Sequence, residues 1–236
     1  MSGPNHENTP VVKLTNISKV YGFINAVKNI DLTIKEGETI GFLGNNGAGK
    51  STLLKIIGLL IKPTIGKIEL FGKEAKENQH ILKRDIGTLL SHSFFYEDLT
   101  GRENLEFYLK VNRRSIDPSN VIDKAVKQER LKFFIDRPTH ELSTGMAKKL
   151  ELLRVTLPNL PRLVLLDEPF SGLDVENKLF IKRIITERQS DTTVIICSHD
   201  FNAISNVCTK VYYLEKGRIQ RILEPSEYEY FLNKQN

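Results

Sequence analysis

The run Gly44-Asn45-Asn46-Gly47-Ala48-Gly49-Lys50-Ser51-Thr52 constrains this chain more than any other stretch. It reads as Gly, four residues, then Gly-Lys-Ser, with Gly44, Gly49, Lys50 and Ser51 at the fixed positions. Thr39 to Leu43 upstream is a short apolar strand, and Lys50 to Leu59 downstream carries leucines and isoleucines that can face a sheet from a helix. A strand, a glycine loop and a helix in that order place successive N–H groups around one anion, and the helix adds its positive N-terminal end. Phosphate suits that geometry. Lys50, expected to stand exposed on the loop, reaches the β- and γ-phosphates as a point charge. The Ser51 hydroxyl is placed to hold the magnesium ion that bridges them.

The rest of the chain must supply an α/β fold around this loop. At 236 residues and 40% hydrophobic content it is long enough for one sizeable core plus an inserted subdomain. Thirty-four basic and 29 acidic residues leave a net charge of +5, with the basic residues spread along the chain, so charge does not indicate nucleic-acid binding. Cys197 and Cys208 lack Cys-x-x-Cys spacing and fall near apolar segments, which fits buried reduced thiols. No window approaches 18 uninterrupted apolar residues, so no membrane crossing is expected, and residues 1–10 are expected to form a frayed leader.

From Val11 to Ile17, and again at Ile30, Leu32 and Ile34, apolar residues mark short strands, with a turn at Glu36-Gly37-Glu38. Tyr21-Gly22 reads as a loop whose aromatic ring either stacks on a nucleotide base or packs against the neighbouring strands. Pro63 to Gly66 is a turn and Lys67 to Phe71 another strand, giving an antiparallel β-rich subdomain beside the phosphate loop. Ile86 to Leu90 is one more strand. Beyond it, Thr100 and Glu103 form a capping box ahead of Leu105, Phe107, Tyr108 and Val111, and Asp117-Pro118 opens a helix through Val121, Ile122, Ala125 and Val126. The middle third, residues 102–157 and more broadly about 92–160, is therefore a helical insertion in the α/β core.

The run Leu163-Val164-Leu165-Leu166 fits a strand buried on both faces, with Asp167 and Glu168 just past its C-terminal end, where ligands bind in open α/β sheets. Asp167 is placed to reach a magnesium ion through its water shell, and Glu168 to orient or deprotonate an attacking water; the plainer alternative is a solvated Asp-Glu-Pro turn. Val175 to Gln189 reads as a crossover helix, with Leu179, Ile181, Ile184 and Ile185 as its apolar positions. The strand Thr193 to Ser198 ends at His199, whose imidazole can bond either a phosphate oxygen or a backbone group; its location favours phosphate. Lys210 to Leu223 is a hairpin turning at Glu215-Lys216-Gly217, and Pro225 to about Lys234 a short helix.

Taken in order, these stretches resemble the ATP-binding cassette family over nearly the whole chain, from about Val11 to Leu223. Leu142-Ser143-Thr144-Gly145-Met146 resembles its signature motif, Ser171-Gly172-Leu173-Asp174 its D-loop, His199 its switch histidine and Tyr21 its adenine-stacking aromatic. The resemblance implies a P-loop NTPase with a mixed, RecA-like β core, an antiparallel β subdomain and an inserted helical subdomain, forming one ATPase domain over residues 11–223. It also implies magnesium-dependent ATP hydrolysis with Glu168 and His199 as catalytic groups. Two subunits, identical or paralogous, would pair head to tail, each ATP lying between one phosphate loop and the other subunit's Ser143, Gly145 and Asp174. Helix N–H groups opened by Ser143 and Gly145 could meet a γ-phosphate from outside the chain.

The chain departs from the family pattern in two motifs, the signature and the Q-loop. Thr144 and Met146 stand where Gly and Gln are usual. The Q-loop glutamine, which coordinates magnesium in the family, would fall at about Ser91, so Ser91 or His92 takes part of its role. The implied function is the ATPase subunit of a transporter, lying on the cytoplasmic face of the membrane beside a separate permease and without nucleic acid. Residues 91–105 resemble haem-exporter and peptide-antibiotic-exporter ATPases, which suggests export of small or amphipathic cargo. The rival is a soluble superfamily member of iron–sulfur assembly, translation or DNA maintenance. A non-catalytic ATP-binding regulator is disfavoured by Glu168 and His199 together.

Overall fold

The computed structural model describes residues 10–91, 93–112, 117–157, 161–187 and 192–230. Its elements in chain order are β1 (Val12–Tyr21), β2 (Ile24–Ile34), β3 (Thr39–Leu43), α1 (Lys50–Ile57), β4 (Ile65–Leu70), β5 (Lys73–Glu74), α2 (Ala75–Leu82), β6 (Ile86–Leu89), α3 (Gly101–Asn112), α4 (Pro118–Gln128), α5 (Thr144–Thr156), β7 (Leu163–Asp167), α6 (Val175–Glu187), β8 (Thr193–Ser198), α7 (Phe201–Ile204), β9 (Lys210–Glu215) and β10 (Arg218–Leu223). Two sheets result, one in the order β2-β1-β4-β5 and one in the order β10-β9-β3-β8-β7-β6.

In the larger sheet β3, β6, β7, β8 and β9 run parallel, and β10 turns back against β9. Strands β3, β7 and β8 are buried at every position, as a parallel sheet covered on both faces requires. One apolar cluster joins this sheet's face to α1 and the antiparallel sheet; a second joins its other face to α6 and α7. A third belongs to the helices, with Leu105, Ile122, Ile135 and Leu150 at its centre.

Several expectations need correcting. Strand β1 runs past Ile17 because Asn16, at φ +51°, forms a bulge that resets the in–out alternation between Leu14 and Ile17. Tyr21 is not in a loop but ends β1, paired with Ile24 across the Gly22-Phe23 turn. Helix α2 has no counterpart in the sequence reading; only Ala75 and Leu82 are buried on it, so its apolar period is faint. On α3 the inward residues are Leu105 and Leu109, while Phe107 and Val111 are exposed. On α6 Ile181, Ile184 and Ile185 face inward, and Leu179 is exposed.

Other expectations hold. The Thr100–Glu103 capping box forms, with Glu103 N–H donating to Thr100 Oγ1 at 3.2 Å and Thr100 N–H donating to Glu103 Oε2 at 2.8 Å. Both cysteines are buried free thiols, and burial raises the pKa of each. A 3-10 turn at Pro225–Glu227 starts the C-terminal segment. Lys234, like His92 and Gln189, lies outside the described residues.

Candidate functional site

Strand β3 delivers the chain to the loop at Gly44, and α1 carries it away from Lys50. The loop passes close under two hairpins: a Cβ at Gly44 would lie 2.3 Å from the Leu214 carbonyl oxygen, and one at Gly49, where φ is +106°, 2.4 Å from that of Ala26. No side chain fits at either position. Gly217 N–H donates to the Ala48 carbonyl at 3.0 Å, fixing the β9–β10 turn against the loop.

Lys50 is 6% exposed, not the free side chain expected. Its ammonium donates to the carbonyls of Gly44 at 2.7 Å and Asn45 at 3.2 Å, and lies 3.8 Å from Glu168 Oε1. Ser51 Oγ donates to Asp167 Oδ1 at 2.9 Å. Burial raises the Asp167 pKa above the usual carboxylate value, against the Ser51 hydrogen bond; the Glu168 charge adds to the rise, and Lys55 and Lys50 oppose it.

Glu168 is a non-glycine residue at φ +50°, which turns its side chain off the strand end. Its Oε2 lies 3.0 Å from His199 Nδ1, so the ends of β7 and β8 bring the two expected catalytic groups into contact. A cavity of about 430 Å³ opens beside Glu168; His199 does not line it and reaches it only through that carboxylate. Asn46, Gly47, Gly49, Lys50, Ser51 and Thr52 form its floor, Asp167, Glu168 and Ser91 one wall, and Tyr21 the rim. Five residues that the sequence reading missed also line it: Ile24, Asn25, Ala26, Lys28 and Lys216. The β1–β2 hairpin places the first four and the β9–β10 turn places Lys216, and no local sequence signal marks them. Lys28, Lys50 and Lys216 give the cavity the charge a polyphosphate needs, and Tyr21, 46% exposed, offers a ring at its edge.

Ser143, Gly145 and Asp174 do not line this cavity; they form a second cluster. Ser143 caps α5, its Oγ accepting from Met146 N–H at 3.3 Å. The Asp174 carboxylate accepts from Asn177 N–H at 2.8 Å and from its Nδ2 at 2.9 Å. Gly145 packs on Asn177 so closely that a Cβ would lie 2.4 Å from Nδ2.

The family model for ABC transporters matches residues 27–171. The chain belongs to the ABC transporter family. It is 33% identical over 211 residues to the bacitracin transport ATP-binding protein BcrA of Bacillus licheniformis, covering 89% of this chain and 68% of that one. It is 32% identical over 223 residues to the sulfate/thiosulfate import ATP-binding protein CysA of Acinetobacter baylyi, covering 92% and 63%. The solved cassette MJ0796, a dimer in a post-hydrolysis state bound to ADP and Pi, superposes with a TM-score of 0.84 at 29% identity, covering 91% of this chain and 98% of that one. A second structure, cbiO1 of Clostridium perfringens, part of the complex cbiONQ, gives 0.81 at 27% identity, covering 97% and 93%. This cassette is thus a nucleotide-binding ATPase subunit of an ABC transporter, as the resemblance implied, and the soluble rival is set aside. Such cassettes dimerise and work with membrane-spanning subunits. No helix among the described residues is long and apolar enough to cross a membrane.

Proposed function

We propose that this ABC cassette binds magnesium-ATP in the cavity above the phosphate loop and hydrolyses it with Glu168 and His199. The carrying observation is the convergence of Lys50, Ser51, Asp167, Glu168 and His199 at the C-terminal ends of β3, β7 and β8. The loop N–H groups and Lys50 would bind the phosphates, with Tyr21 and Ile24 at the base end. Glu168 would orient the attacking water and accept its proton, and His199 would hold that carboxylate in place.

Among the described residues no cluster of three or more His, Cys, Asp or Glu side chains is set to hold a metal. The Ser51 hydroxyl and Asp167 carboxylate are hard oxygen donors that fit a magnesium ion completing its shell with phosphate and water. Bound there, the ion would offset phosphate charge. Ser91, on the same cavity wall, would stand near it in place of the family's glutamine.

Two such subunits, identical or paralogous, would pair head to tail, with Ser143, Gly145 and Asp174 of one closing over the other's nucleotide. The second cluster's separation from the chain's own cavity supports this arrangement. The pair would sit on the cytoplasmic face of the membrane beneath a separate permease, without nucleic acid. For cargo we read export of small or amphipathic molecules, supported by residues 91–105 and by the relative named for bacitracin transport. The relative named for sulfate/thiosulfate import marks the competing direction.

Glu168→Gln tests the hydrolytic assignment. ATP affinity should stay within about 3-fold while turnover falls at least about 100-fold, the scale of a lost general base. Titration and phosphate release read the two quantities, and turnover close to the parent rate rejects the role of Glu168.

A further inference from the structure

A left-handed backbone at a non-glycine residue costs free energy and persists only where its surroundings over-determine it. At Glu168 those surroundings are specific. Its N–H donates to the Cys197 carbonyl at 3.0 Å, and its own carbonyl accepts from Ser171 N–H at 3.3 Å. That carbonyl also accepts from Lys148 Nζ at 3.1 Å. The same ammonium donates to the Ser171 carbonyl at 2.7 Å.

Lys148 therefore holds both ends of the turn Glu168-Pro169-Phe170-Ser171, reaching it from the first turns of α5. Burial lowers its pKa, with the Glu168 charge opposing, so the ammonium gives up hydration to sit there. The turn already has its own closing bond from Ser171 N–H to the Glu168 carbonyl. What Lys148 adds is a tie between the helix that Ser143 caps and the backbone that aims the Glu168 carboxylate.

We propose that Lys148 is a positioning residue for ATP hydrolysis, fixing the direction of the Glu168 carboxylate by gripping the carbonyls of Glu168 and Ser171 from α5. The inference rests on the reading of Glu168 as the group that activates water. Lys148 does not line the cavity above the phosphate loop; it acts through the backbone under that carboxylate.

The test compares Lys148→Met and Lys148→Arg in the full chain, alone and combined with Glu168→Gln, by single-turnover hydrolysis, ATP titration and thermal melting. Lys148→Met should lower the hydrolysis rate about 10- to 100-fold, the cost of a misaimed catalytic group, with ATP affinity within about 2-fold of the parent. Lys148→Arg, which keeps donors within reach of both carbonyls, should recover most of the rate. In the Glu168→Gln background Lys148→Met should add nothing, because a residue acting through a carboxylate has no effect once it is gone. General weakening of the fold would produce neither the split between rate and affinity nor the non-additivity. If Lys148→Met does not fold, Lys148→Gln takes its place in the same cycle.

The inference is overturned if the Lys148 variant keeps the parental rate while Glu168→Gln stalls hydrolysis, or if the two losses multiply. A Glu168→Gln protein that hydrolyses at the parental rate overturns the reading of Glu168 instead, and Lys148 falls with it.

Discussion

The Lys50 ammonium donates to the Gly44 and Asn45 carbonyls, so its removal disturbs the loop's shape as well as its charge. Lys50→Ala should weaken ATP binding by about 10- to 100-fold, the worth of one or two charge-assisted hydrogen bonds to phosphate. Two loop carbonyls would lose their partner, lowering stability by about 1–2 kcal/mol. Calorimetric titration and thermal melting separate the effects, and unchanged affinity would remove Lys50 from the phosphate site. The loop's residue types were legible because Gly44 and Gly49 pack against the backbone of Leu214 and Ala26, leaving no room for a side chain. The burial of Lys50 was not legible, since its partners are main-chain carbonyls that any sequence would supply. Tyr21 left a choice between core and cavity; the residue is 46% exposed and lines the cavity, a placement set by the β1–β2 hairpin and not by local sequence.

At the scale of elements, periodicity identifies a helix more surely than it identifies the buried face. On α3, apolar residues occupy more than one stripe; Leu105 and Leu109 reach the helical core, while Phe107 and Val111 point out. Strand β1 runs four residues beyond the expected end at Ile17, and at Thr15 and Asn16 two consecutive outward residues break its period of two. Helix α5 carries a clearer constraint, because Gly145 meets Asn177 and Asn177 holds Asp174. In Gly145→Ala the added methyl should displace the Asn177 side chain. The lost hydrogen bond, about 1 kcal/mol, would be roughly offset by alanine's better helix propensity. The variant should therefore melt within about 1 kcal/mol of the parent yet lose ATP-dependent pairing of subunits, because the surface formed by Gly145 and Asp174 has been reshaped. Equal stability with intact pairing, measured by melting and size-exclusion chromatography, would show that this surface tolerates change and does not close on nucleotide.

Across the whole molecule, the strand order β10-β9-β3-β8-β7-β6 puts the phosphate loop between the ends of β9 and β8, with β7 next in line. That order brings Lys216 and Glu168 to one cavity and His199 against Glu168, and local sequence does not display it. The fold class was legible from the loop and the buried run Leu163–Leu166; the five unforeseen cavity residues depend on how the sheets lie together. Ser143, Gly145 and Asp174, at the starts of α5 and α6, lie outside the chain's own cavity, so under the proposed head-to-tail arrangement a second subunit would supply them. Glu168→Gln, with ATP bound but not consumed, should run as a dimer with magnesium-ATP and as a monomer with ADP. Adding Ser143→Arg places a bulky cation where the opposite phosphate loop must approach, while leaving each subunit's own loop untouched. The double variant should bind ATP within about 3-fold of the single one, since Lys50, Ser51 and Asp167 are unchanged, yet remain monomeric, with its dimer weakened at least about 100-fold, because the arginine's bulk holds apart surfaces that must close tightly. A Glu168→Gln protein that stays monomeric at saturating ATP, or a double variant that dimerises as well as the single one, would falsify head-to-tail closure by this chain alone and shift the dimerising role to the membrane partner.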